Sequence, residues 1–232
     1  MLKLTSHTVC IEQINETLQT EFIKNLMNNV GDGKIKAEIN QPTGDFFYDP
    51  WVIKEEFQNT VFEYLLKSLP YPIGEARFII LKPGSCYHSH ADIDDRYHLN
   101  MQGQYSYLID LENNIMFPTN KDGQWYEMNA GVRHTASNFG SINRVQLVVR
   151  QLLKRNQLDN PISVKVNYSG SALEKFRFIF DDKVSPWLNH ACKNNMINNF
   201  KTDQKQIWFD IEKIELINLK SMLGTNFSVE EF

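Results

Sequence analysis

Three side chains able to hold a metal and one able to hold an anion recur through the middle of the chain. They are His90 and Asp92, in the stretch His88-Ser-His90-Ala-Asp92, then His134, then Arg144. Residues two apart on an extended strand share a face, so a strand over Tyr87 to Asp92 would turn His90 and Asp92 the same way. Two histidines and one carboxylate form a facial set that leaves three positions open on one side of an iron(II) ion. Two of those suit a chelating 2-oxo acid and the third suits O2. The distal histidine, His134, follows Gly131 in a short strand predicted over Gly131 to Ala136. Beyond the turn Asn138-Phe-Gly140, Arg144 opens the next strand, and a hairpin of that length sets it near His134 across the ladder. A permanently charged guanidinium at that point matches the far carboxylate of 2-oxoglutarate bidentately.

Each element of this set has a plainer reading. His-x-Asp recurs by chance and equally describes an exposed ion pair in a loop. Arg144 alone equally describes a surface charge at a strand start. The combination is what points to oxygen chemistry, against a zinc hydrolase, which leaves Arg144 without a purpose, and against a non-enzymatic cupin-like module that binds a metal or small ligand. His88 shares the expected strand face of His90 and is either a rival ligand or a pocket wall; the His-x-Asp spacing favours His90. Trp125, Tyr105, Tyr107 and Phe117 read as core before pocket. Asp94 and Asp95 read as solvated turn residues, and His7 and His190 lie outside the β-rich region.

The elements that must position these groups follow from periodicity and punctuation. Ile11, Ile14, Leu18, Phe22 and Leu26 are spaced for one helix from Ile11 to Leu26, and a second is predicted from Val52 to Leu69, stopped by Pro70 and Pro72. From Glu75 the texture turns to short strands: Arg77 to Leu81, Tyr87 to Asp92, Tyr97 to Met101, Tyr105 to Leu111, Gln124 to Met128, Gly131 to Ala136 and Arg144 to Leu153. Gly, Asn and Asp turn signals separate them. The expected class is mainly β with flanking helices, a double-stranded β-helix of cupin-like jelly-roll form. Residues 1–155 are expected to hold N-terminal helices plus the jelly-roll core. Residues 156–232 are expected to form a mostly helical cap or oligomerisation segment, with one strand at Ile162 to Val166 and helices at Ala172 to Phe180, Pro186 to Phe200 and Ile214 to Leu223.

Composition narrows the class further. The 232 residues are 42% hydrophobic and 22% charged, with a net charge of −4, which suits a globular protein with a sizeable core. The basic residues are scattered, so no nucleic-acid footprint is expected. Cys10, Cys86 and Cys192 have no C-x-x-C spacing, and neither a signal peptide nor an apolar run of spanning length is evident. A cytoplasmic location without a membrane partner is the expectation.

His90-Ala-Asp92, Arg96-Tyr-His98-Leu99, His134 and Arg144 together resemble the aspartyl/asparaginyl β-hydroxylase superfamily of 2-oxoglutarate oxygenases, over about Ile73 to Leu153. Within it the chain is similar to the free L-proline cis-hydroxylases, which share the complete His-x-Asp…His…Arg set. The peptidyl aspartyl hydroxylases of the superfamily have glycine in place of Asp92. The resemblance implies an Fe(II)- and 2-oxoglutarate-dependent dioxygenase with iron on His90, Asp92 and His134. It further implies 2-oxoglutarate on Arg144, its C1 carboxylate approached by His98, and a small amino acid such as L-proline beside Arg96. Hydroxylation of a peptide or protein side chain is the alternative within the family. His98 also reads as a satisfied core histidine.

Overall fold

A computed structural model describes residues 2–31, 33–169, 183–203, 206–223 and 227–232. The chain forms two compact units: residues 1–89, 95–129 and 134–152, and residues 90–94, 130–133 and 153–232.

The first unit opens with strand β1 (Leu2–Thr8) and helices α1 (Ile11–Gln19) and α2 (Glu21–Asn28). The single helix expected over this stretch is broken at Thr20, which is extended (φ −64°, ψ 146°). The Thr20 hydroxyl accepts from the Ile23 N–H and donates to the Thr17 carbonyl, ending one helix and capping the next. Strands β2 (Lys34–Glu38), β3 (Asn40–Pro42) and β4 (Trp51–Ile53) follow, then a 3-10 turn (Glu55–Phe57) and helix α3 (Val61–Lys67). The second expected helix is therefore a strand, a turn and two helical turns. Its apolar residues have helical spacing, but Asn59 sits at φ 58° and Thr60 starts a new cap. Phe22, Phe57, Phe62 and Phe78 meet edge to face, with centroids 4.9–6.1 Å apart.

The strands that carry the chemistry are β5 (Ala76–Leu81), β6 (Ser85–Cys86), β7 (Arg96–Gln102), β8 (Ser106–Asp110), β9 (Ile115–Pro118), β10 (Gln124–Met128), β11 (His134–Asn138) and β12 (Arg144–Arg150). They distribute between a six-stranded sheet, ordered β1-β10-β7-β12-β5-β2, and a four-stranded sheet, ordered β6-β11-β8-β9. Every pairing in both is antiparallel. The fold is mainly β.

Alternation within the central strands gives the large sheet two different faces. Tyr97, Leu99 and Met101 of β7 join Val145, Leu147 and Val149 of β12 and Ala76, Phe78 and Ile80 of β5 in an apolar core shared with Ile14, Ile23 and Leu65 of the helices. Their neighbours in sequence point the other way, so Arg96, His98 and Asn100 stand beside Arg144, Gln146 and Arg150 on the opposite face. On that side Met128 packs with Leu108 and Ala136 of the small sheet and with Leu2, Tyr87 and Phe117.

Two local expectations are corrected here. No strand runs from Tyr87 to Asp92: β6 ends at Cys86, His90 makes an isolated bridge and Asp92 is irregular. Nor do β11 and β12 form a hairpin. They lie in different sheets, β11 between β6 and β8 and β12 between β7 and β5.

In the second unit β13 (Pro161–Tyr168), β14 (Ile197–Thr202), β15 (Gln206–Glu212) and β16 (Phe227–Glu231) form an antiparallel sheet ordered β14-β15-β13-β16, with helices α4 (Ser185–Lys193) and α5 (Leu216–Leu223). The mostly helical segment expected from residue 156 onward is thus a sheet with two helices among the described residues. The helix expected from Pro186 to Phe200 stops at Lys193, where Asn195 takes a positive φ, and the chain continues as β14. The helix expected at Ala172 to Phe180 lies outside the described residues. Period-2 burial in β13 and β15 (Val164, Val166; Ile207, Phe209, Ile211) explains the strands. No helix among the described residues is long and apolar enough to cross a membrane.

Candidate metal centre

His90 and Asp92 belong to an irregular segment held from two directions. The Asp92 N–H donates to the Ala130 carbonyl at 2.7 Å, joining residues 90–94 to residues 130–133. Asn189 of α4 donates from Nδ2 to the Ile93 carbonyl at 2.9 Å. The same Asn189 side chain occupies the space beside Gly131, where a Cβ would fall 2.3 Å from its Oδ1 and 2.7 Å from its Cβ. Glycine at 131 is therefore required by packing against Asn189.

His90 Nε2 lies 3.7 Å from Asp92 Oδ2, with both side chains about one-fifth exposed. His134, at the first position of β11 and 5% exposed, completes a group in which one ligand atom from each of His90, Asp92 and His134 lies within 4.8 Å of the others. Two imidazoles and a carboxylate at this separation fit the donor set of a facial-triad iron(II) ion. His88 is exposed and stands outside the group. Strand alternation would set it beside His90, but the segment is irregular and the alternation does not apply.

The other sequence-selected residues lie on the inner face of the large sheet. Arg144 is 1% exposed. Its Nε donates to Thr119 Oγ1 at 3.3 Å and its Nη2 to Gln146 Oε1 at 2.6 Å, while Gln146 donates from Nε2 to Asn100 Oδ1 at 2.5 Å. Ser106 Oγ and Thr119 Oγ1 share a further bond of 2.7 Å. The guanidinium is thus held by neutral partners; its Nη1 makes no hydrogen bond of good geometry, and the Tyr87 hydroxyl is its neutral neighbour. Burial lowers its proton affinity without approaching neutrality. A buried cation whose partners carry no charge is costly unless an anion joins it.

His98 is 6% exposed and sits beside Gln146 and Asn100 through the β7·β12 register. Burial pushes its pKa down to about 3; the Gln146 amide opposes this, and the positive charges of Arg144 and Arg96, with His134, add to it. Neither ring nitrogen makes a hydrogen bond of good geometry, and Gln146 is the polar neighbour in reach of the ring. Burial keeps His98 a neutral imidazole at neutral pH, with the Gln146 amide beside its ring. Arg96, 9% exposed, pairs through its backbone with Met128 on one side and Arg150 on the other. Arg150 stacks on Phe46 and Phe47 at 4.3 and 4.7 Å from their centroids.

The remaining candidates separate cleanly. Trp125 is fully buried in the helix-side core and donates from Nε1 to Ser68 Oγ. Tyr105 is 65% exposed and Phe117 packs between the sheets. Asp94, expected in solvent, is 2% exposed. Sequence reasoning missed Tyr87, Asn100, Thr119 and Gln146. For Asn100 and Gln146 a signal existed: each is a polar residue at an inward position of a strand buried throughout its middle.

No family model and no curated protein matches the chain. Among solved structures, an oxidoreductase of the 2OG-Fe(II) oxygenase family from Burkholderia pseudomallei is similar over 64% of this chain and 91% of its own. The identity is 9% and the TM-score 0.38, a likeness too slight to carry an inference.

Proposed function

We propose that the protein is an iron(II)- and 2-oxoglutarate-dependent dioxygenase that hydroxylates a small free amino acid, with L-proline first in line. The observation that carries this is Arg144: a buried guanidinium whose partners are all neutral, on the sheet face that also bears His98, in a chain that gathers His90, Asp92 and His134. A metal-binding module alone has no use for a prepared anion site. The passage of β5 to β12 between two antiparallel sheets supports reading the first unit as a double-stranded β-helix of cupin-like jelly-roll form.

In this reading His90, Asp92 and His134 hold iron(II), which when bound supplies O2 activation coupled to decarboxylation of 2-oxoglutarate to succinate and CO2. Arg144 binds the distal carboxylate of 2-oxoglutarate, oriented by Thr119 and by the Gln146–Asn100 relay. His98, neutral at all physiological pH, offers an uncharged ring nitrogen to the C1 carboxylate without competing as a cation. Arg96 receives the carboxylate of the amino-acid substrate. Met128, Leu108 and Ala136 keep the inner face dry, which strengthens each of these polar contacts. The retained carboxylate Asp92 favours the free-amino-acid branch over the peptidyl one.

The test is anaerobic titration of 2-oxoglutarate into iron(II)-loaded protein, followed by O2 and a panel of free amino acids and peptides. The expected result is a visible charge-transfer band, then succinate in step with a one-oxygen mass gain on a free amino acid. Oxygen appearing only on a peptide would move the substrate to protein side chains. Iron binding without the band would reduce the protein to a metal-binding module.

A further inference from the structure

Asp110 closes β8 and is 3% exposed, a buried carboxylate outside the group formed by His90, Asp92 and His134. Part of its work is local. Its Oδ1 accepts from the backbone N–H groups of Glu112 and Asn113 at 3.1 and 3.0 Å, and its Oδ2 accepts from Asn113 Nδ2 at 2.8 Å, which shapes the turn into β9. A carboxylate offers about four acceptor sites, so the bonds within the turn do not exhaust it. The same residue is paired in register with His134, the first residue of β11. Directly opposed residues of an antiparallel pair point to the same face, with Cβ atoms about 4.5–5.5 Å apart. The next pair of that face, Leu108 and Ala136, packs on the inner side of the small sheet, so Asp110 and His134 stand on that inner face as well.

A histidine that gives one ring nitrogen to a metal carries its proton on the other, and the acceptor of that N–H sets which tautomer is present and how the ring is turned. His134 is 5% exposed, and a buried ring takes that acceptor from the protein. We propose that Asp110 is a positioning residue: its carboxylate accepts the N–H of the His134 ring nitrogen that the metal does not use, fixing the ring so that the other nitrogen ligates. A carboxylate in that place also makes the imidazole a stronger donor to a divalent cation. Asp110 then does two things at once, closing the turn between β8 and β9 and orienting a ring on the neighbouring strand. This rests on His134 being a metal ligand, as the oxygenase reading has it.

The test reads metal affinity rather than turnover. Zinc(II), which binds nitrogen and oxygen donors more tightly than iron(II), is titrated against a competing chelator into the full-length wild type, Asp110→Asn, Asn113→Ala, His134→Ala and the double variant of Asp110→Asn with His134→Ala. The melting temperature of each metal-free protein is taken alongside. Asp110→Asn is nearly isosteric and keeps an oxygen for the two backbone N–H groups of the turn, but loses the charge and an acceptor. It is expected to weaken zinc(II) binding by about 10- to 100-fold, the range for losing such an outer partner. Asn113→Ala loosens the same turn and is expected to lower the melting temperature while leaving zinc(II) affinity unchanged. In the His134→Ala background Asp110→Asn is expected to have no further effect, because a residue that acts through His134 has nothing left to act on. Equal losses of affinity in Asn113→Ala and Asp110→Asn assign the effect to the turn and overturn the proposal, as does an Asp110→Asn effect that persists without His134. Unchanged affinity in Asp110→Asn, with affinity lost in His134→Ala, overturns the role of Asp110 and leaves the metal centre standing. Full zinc(II) affinity in His134→Ala overturns both.

Discussion

His134 and Arg144 are both almost completely buried, yet under the proposed reading their substitution should have separable effects, because that reading gives them different ligands. His134→Ala removes one of the three proposed metal donors. Iron(II) affinity is expected to fall by more than the roughly 10- to 100-fold that losing an outer partner costs, and turnover should vanish while the circular dichroism spectrum is kept. Full activity in that variant would remove His134 from the metal set. Arg144→Ala is expected to leave iron binding near normal and to raise the 2-oxoglutarate requirement steeply, by the equivalent of about 2–5 kcal/mol for one side of a buried charged pair. An unchanged requirement would place the anchor elsewhere. His98 supplies a prediction in pH. The folded chain holds its pKa at about 3 while the unfolded chain titrates near 6.5, so the unfolded state binds the extra proton between those values. Stability is therefore fully present above pH 6.5 and is lost as pH falls toward 3. Urea midpoints of metal-free protein should fall over that window, and His98→Gln should flatten the fall relative to wild type. Parallel curves for the two proteins would show that His98 does not carry it.

At the scale of elements, the irregular segment bearing His90 and Asp92 depends on a contact that regular structure does not provide. Asn189 of α4 braces it through the Ile93 carbonyl and fills the space beside Gly131. In Gly131→Ala the new methyl would meet Asn189 Cβ at 2.7 Å as well as the amide, so rotation of the amide alone cannot relieve it. The expected outcome is a lowered melting temperature together with weaker iron(II) binding, because residue 130 also accepts the Asp92 N–H. Differential scanning calorimetry and an iron titration check it; a variant with the melting temperature of wild type would show that α4 yields freely. The elements also explain where pattern reading failed. Alternation predicts a strand over Tyr87 to Asp92, but β6 stops at Cys86 and a bridge at His90 replaces the ladder.

For the whole molecule, the chain itself determined the donor types, their order and the mainly β class. His-x-Asp, a later histidine and a later arginine are chemically sufficient to suggest a metal and an anion. The alternation of polar and apolar residues in Arg96 to Gln102 and Arg144 to Arg150 already divides those strands into a core face and a polar face. Only the tertiary structure decided that β11 and β12 belong to different sheets, so that Arg144 meets His98, Gln146 and Tyr87 through sheet packing rather than through a hairpin with His134. Only the tertiary structure exposed His88, buried Asp94, ended the helix expected from Pro186 to Phe200 at Lys193 and showed a four-stranded sheet in the second unit. The physical reason is that side-chain periodicity reports which way a residue faces within its own element. Which strand it pairs with, and which polar groups then converge, depends on contacts between residues far apart in the chain.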